Sequence, residues 1–239
     1  MKLTTARACS LAFVVAFAAL FLQVLVHRII SAKLLNDYAF LVISLTMLGF
    51  AAAGALLSLV QRFVLGRPQA TLTVAAAAAA LTALLATMAF YATDTKAAFV
   101  PHRPAFVSSF FDWAPFALLY AVPFGCLAFV LGALLSARDL DTKQVYFADL
   151  MGSALGAVAV LPAIRHFGVE KSLLALAFLL PLAALWLLRP TSRAARGAVL
   201  AVTAVTAFVA LRSATLLEMR PAKGSAIVRK TYAENGSSL

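Results

Sequence analysis

Runs of about 20 predominantly apolar residues recur along almost the whole chain, and each is long enough to cross a bilayer as a helix. Inside a bilayer no water serves the backbone N–H and C=O groups, so a spanning segment must satisfy them internally. Seven spans are predicted, at about residues 10–30, 38–60, 72–91, 113–135, 145–164, 172–188 and 195–211. The expected fold is an all-α membrane protein, a polytopic bundle of about seven transmembrane helices. Composition agrees. Apolar residues make up 64% of the 239 and charged residues 12%, against roughly 45–50% and 25% in soluble domains. A soluble fold of this length could not hide so much apolar surface. No soluble catalytic domain is expected within the chain.

The first run is expected to be an uncleaved span rather than a leader. Met1–Arg7 is basic, but the apolar stretch after it, residues 11–26, exceeds the roughly 7–15 residues of a signal-peptide core. Cys9 precedes that stretch, so it makes no lipid-attachment motif. Cys9 and Cys126 form no disulfide framework, and both read as small apolar side chains. Tyr38, Tyr91, Trp113, Tyr146 and Trp186 fall near span ends, where amphipathic rings favour the headgroup level. The connection at 92–112 is the long one and could hold a short interfacial helix. The division is a helical region over residues 1–211 and a polar, basic tail over 212–239, too short for a domain.

The net charge of +11 is scattered between apolar runs. That pattern fits anionic headgroups rather than nucleic acid. It does not fix orientation. With seven spans, nine of the 20 basic residues fall on the side of the N-terminus, from Lys2 and Arg7 to Arg193 and Arg196. Eleven fall opposite, five of them in the tail, and the positive-inside rule cannot decide such a split.

Few polar groups lie inside the spans, and they are the candidate site residues. Asp149 sits about one turn inside the fifth span, where an ionised carboxylate needs a partner, a water pocket or a proton. Gly152 and Gly156 share its stripe at helical spacing, and a Gly-xxx-Gly stripe lets a second helix approach closely. The expectation is an acidic group at a tight helix–helix seam, with a ligand or proton site as the functional alternative. Gln23, His27 and Arg28 cluster at the end of the first span. In an alternating bundle they lie most of a bilayer from Asp149, so Arg7, Arg62 or Arg138 are its better partners and Arg28 is left to Asp37, Glu170 or headgroups. Pro123 and Gly125 interrupt the fourth span, since proline removes a helix hydrogen bond; a packing kink is the simple reading and a substrate-binding break the other. Gly49, with Ala53, marks a packing face in the second span. No metal site is expected, because His102 and His166 stand apart from other ligating residues. No cofactor is expected either, because no phosphate loop, dinucleotide fingerprint or nucleophile elbow is present.

Residues 144–168, QVYFADLMGSALGAVAVLPAIRHFG, resemble a signature of membrane-bound spermidine synthase-like proteins. The span before it, 119–136 with its PFG core, resembles theirs, as do FLQVLVHRIIS at 21–31 and LGFAAAGALLS at 48–58. The resemblance runs with gaps over about residues 21–188. It implies a multi-span region that accompanies a soluble aminopropyltransferase-like domain using decarboxylated S-adenosylmethionine. Two departures stand out. Gln23 occupies a position near which the family often carries an acid. Nothing in the chain matches the soluble domain, so no catalytic residue carries over. The resemblance therefore implies a membrane subunit or anchor region, with the transferase in a separate soluble partner or in a missing C-terminal domain. A stand-alone transporter of small amines or lipid-like molecules is the alternative, and a purely structural protein with lipid contacts is a third. The lipid bilayer is the expected partner; an oligomer is compatible with all three.

Overall fold

A computed structural model describes residues 4–33, 39–66, 68–92, 106–137 and 139–212. Six helices make up the described chain: α1 Thr5–Lys33, α2 Ala39–Gly66, α3 Pro68–Ala92, α4 Phe106–Leu135, α5 Thr142–Leu188 and α6 Arg193–Leu211. Among the described residues there are no strands, and all six helices are long and apolar enough to cross a membrane. The predicted spans fall on these helices, but the fifth and sixth fall on one, α5. The sequence places a loop there because Arg165, His166, Glu170 and Lys171 interrupt the apolar run; helical geometry persists through them on both sides of one residue. That residue is Gly168, at φ 82 and ψ 171, a region essentially reserved for glycine.

The 47 residues of α5 would reach about 70 Å if straight, more than twice the roughly 30 Å hydrocarbon core. The chain instead folds back at Gly168. Val14 and Phe17 of α1 face one groove together with Ala163 before Gly168 and Leu179 and Ala183 after it. A straight continuation would carry Ala183 past the end of α1. The two limbs, residues 142–167 and 169–188, therefore lie side by side.

Local chemistry sets the ends. Asp141 caps α5, its carboxylate accepting from the Lys143 N–H at 3.1 Å. Arg189 closes α5 in the left-handed region at φ 47, its N–H donating to the Leu185 carbonyl, and Pro190 prevents continuation. Ser192 caps α6 by accepting from the Ala195 N–H at 3.4 Å, and the Arg196 Nε donates to the Pro190 carbonyl at 2.8 Å. α4 runs unbroken as a helix across Pro123 and begins at Phe106. The expected interruption is thus not an end of the helix, and the first turns of α4 occupy part of what reads as the long connection. Residues 93–105 of that connection and the tail from 213 onward lie outside the described residues, as does His102.

α1 lies along α5 and against α4; α2 packs on α4, α4 on α3, α3 on α5, and α6 on α3 and α5. Leu11, Val15, Leu22, Leu25 and Ile29 bury one side of α1 in this core. The rim is apolar too: Met47 and Leu59 of α2, Val158 and Trp186 of α5 and Leu211 of α6 are 65%, 82%, 67%, 70% and 86% exposed. Such a surface is stable where lipid is the solvent. Six threonine hydroxyls are satisfied locally. Thr46, Thr73, Thr82, Thr87, Thr203 and Thr206 each donate to the carbonyl four residues back at 2.6–2.9 Å, which lets a threonine sit in an apolar helix.

Candidate functional site

The stripe Val145, Asp149, Gly152, Gly156 and Val160 faces α1. Both glycines are buried, and Val145 and Val160 are fully so. A methyl group at Gly152 would overlap the carbonyl oxygen of Phe13 and stand 2.9 Å from its C and Cα. One at Gly156 would overlap the carbonyl of Phe17 and stand 3.0 Å from its Cα. The glycines thus meet backbone, and no repacking of side chains could make room. Gly49 and Gly125 build the same kind of seam between α2 and α4. A Cβ on Gly49 would lie 2.6 Å from the Ala121 oxygen and 2.8 Å from the Gly125 nitrogen. Pro123 is buried two residues from this crossing.

The contacts also fix register. Phe13 meets Gly152 and Phe17 meets Gly156, so numbers rise together and α1 runs parallel to the first limb of α5. Asp149 is then level with Ser10, and Arg28 lies about 27 Å further along the axis. Asp149 and the group Gln23, His27 and Arg28 accordingly belong to opposite ends of the bundle. Asp149 is half-buried, and its side chain leans toward the N-terminal end of its helix, where Lys143 and Arg7 lie. It has no ion pair among the described residues. Arg7 does not supply one; the Arg62 side chain and Arg138 lie outside the described residues. At the other end Gln23 and His27 are half-buried, and Arg28 is exposed and unpaired with Glu170; Asp37 lies outside the described residues.

Two grooves open on the rim. One, of about 560 Å³, lies between α1 and the two limbs of α5. The other, of about 640 Å³, lies between α2, α3 and α4 and includes Gly49 and Gly125. Both are lined almost wholly by apolar side chains. Asp149, Gln23, His27 and Arg28 line neither. Among the described residues no three His, Cys, Asp or Glu side chains come together as a metal site, and Cys9 and Cys126 are free thiols.

Two features are not legible in the sequence. Phe13 and Phe17 contribute backbone to the glycine seam, which no side-chain pattern reveals. The Tyr120 hydroxyl, deep in the bundle, donates to Thr87 Oγ1 at 3.4 Å, and its ring meets Phe90 edge-on at 6.0 Å between centroids. Tyr91, which reads as a headgroup-level ring, is buried instead, whereas Tyr146 and Trp186 are exposed on the rim. The chemistry available is close packing around one carboxylate, with no acid–base pair facing a cavity among the described residues. Comparison with known protein families, curated proteins and solved structures returns no match for this chain.

Proposed function

We propose that the chain is the membrane anchor or membrane subunit of a spermidine synthase-like system. It holds a soluble aminopropyltransferase-like partner, or a domain of a longer polypeptide, at the bilayer surface. The observation that carries this reading is where the resemblance falls: the Asp149, Gly152 and Gly156 element, at the centre of 144–168, is the element on which α1 closes against backbone. A signature spent on packing is what a scaffold needs. The apolar grooves support the same reading, because a conduit for amines would need a polar path past Asp149, and Asp149 lines neither groove.

Two finer points belong to this proposal. The fold-back at Gly168 favours seven crossings, α5 supplying two. A transferase using a cytosolic nucleotide-derived donor would set the tail on the cytoplasmic side and the N-terminus opposite, in the inner membrane of a bacterium.

The test is capture of the native protein in mild detergent, with intact mass of the chain and identification of what accompanies it. A soluble α/β transferase in the complex, or a native polypeptide well above 25.2 kDa, is the expected result. A 25.2 kDa chain alone would overturn the anchor reading and turn attention to amine uptake by vesicles containing the protein.

A further inference from the structure

The groove between α1 and the two limbs of α5 has one charged end. Phe17, Phe21, Phe167, Ala175 and Leu179 line it with apolar surface, and Lys171 closes it at the Gly168 turn. Ser172, beside Lys171, is occupied in donating to the Gly168 carbonyl at 2.7 Å. Arg165 and Lys171 are exposed at this turn, Glu170 is half-buried there, and the parallel register brings exposed Arg28 to the same level. The turn is thus net basic. From Lys171 the groove follows the second limb to Ala183, about 18 Å at helical rise. That is slightly more than half of the roughly 30 Å hydrocarbon core.

From these dimensions and this charge we propose that the groove seats one acyl chain of an anionic phospholipid. The headgroup phosphate lies at Lys171 and the chain end lies near Ala183, at mid-bilayer. The volume of about 560 Å³ falls in the ~300–1,000 Å³ range of small-molecule sites. A second copy of the chain fits less well. A two-fold axis along the bilayer normal would bring Lys171 and Arg165 of both copies to one depth, setting like charges together. A zwitterionic lipid would fill the apolar part and leave the basic turn without a net counter-charge.

The experiment is native mass spectrometry of the delipidated full chain, titrated with phosphatidylglycerol or phosphatidylcholine of identical chains. One phosphatidylglycerol is expected to be retained in preference to phosphatidylcholine. Lys171→Gln, on an exposed side chain, should lower that preference about fivefold, the effect of one basic residue near a membrane surface. Ala175→Leu, which points bulk into the groove from an exposed position, should weaken retention of both lipids. Melting of each variant confirms that it is folded. Equal retention of the two lipids, retention unaffected by both variants, or a dimer that excludes lipid would each overturn the assignment.

Discussion

Replacing Gly152 with alanine tests the central seam directly. The added methyl would overlap the Phe13 carbonyl oxygen and sit 2.9 Å from two more backbone atoms, where ordinary contact begins near 3.4 Å. Because those atoms belong to a helix backbone, α1 and α5 must separate by roughly 0.5–1 Å, which forfeits about a quarter to a half of each dispersion contact along the seam. Overpacking of this kind costs about 1–3 kcal/mol, and alanine recovers about 0.5–1 kcal/mol over glycine within a helix. With mid-range values of about 2 and about 0.75 kcal/mol, a net loss of about 1.25 kcal/mol remains. At about 2–4 °C per kcal/mol for a chain of this size, the melting temperature in detergent should fall by about 2.5–5 °C. Gly54 and Gly197, where a methyl meets nothing within 4 Å, are the controls, and alanine there should hold or raise the melting temperature. Adding Gly156→Ala should cost less than it does alone, since one separation relieves both clashes. Phe13→Ala should give no rescue, because the clash is not with its ring. Melting of Gly152→Ala at or above the wild-type temperature, or its restoration by Phe13→Ala, would refute the reasoning.

Four further outcomes follow from the same geometry. Gly49→Ala should lower the melting temperature more than Gly125→Ala, because the first methyl meets backbone at 2.6 Å and the second at 3.3 Å; equal shifts would count against the α2–α4 crossing. Gly168→Ala should cost about 1–3 kcal/mol through backbone strain alone, since the nearest atom to its methyl, a Glu170 oxygen, is 3.7 Å away, and a neutral result in a denaturation series would mean that the reversal is made otherwise. Tyr120→Phe removes one buried hydrogen bond and should cost about 0.5–1.5 kcal/mol, read by the same series. Asp149→Asn should leave the isolated chain as stable or more so, because it removes the cost of a half-buried charge without an ion pair among the described residues; a loss in detergent would instead reveal a cation bound to it.

What the sequence makes legible is the part governed by solvent. Apolar length alone locates α1, α2, α3 and α6 to within about six residues at each end. The Gly152–Gly156 stripe is readable because i, i+4 spacing puts both on one face. Register is not readable from one strip, because a glycine face says that something comes close and not what. Here the answer is the backbone of Phe13 and Phe17; the Phe17 ring points elsewhere, lining the groove with Phe21 and stacking on it at 5.5 Å. Pro123 does not end α4. A proline removes one backbone donor, and a helix that is already packed on both sides tolerates that loss. Tyr120 escapes notice because a ring in mid-span has no interface to mark; its hydroxyl is accommodated by Thr87, whose own hydroxyl is held by the Ala83 carbonyl at 2.9 Å.

In a bilayer, the parallel register requires an odd number of crossings between α1 and the first limb of α5. Two neighbouring spans run in the same direction only if an odd number of crossings separates them. Between α1 and the first limb of α5 the chain contains α2, α3 and α4. Had one of these lain on the membrane surface, Phe17 would have met Gly152 and Phe13 Gly156, the reverse of the observed order. Parity then assigns each polar end to a face. Arg7, Asp149 and the Asp141 cap share one, and Arg28, Arg165 and Lys171 share the other. Asp149 thus stands at the opposite surface from the basic turn that closes the groove, where the acid of α5 is Glu170. Asp149 cannot neutralise Lys171 or Arg28 in any rearrangement that keeps the glycine seam, so within α5 it is Glu170 alone that can offset the three cations Arg28, Arg165 and Lys171, and that turn keeps a net positive charge.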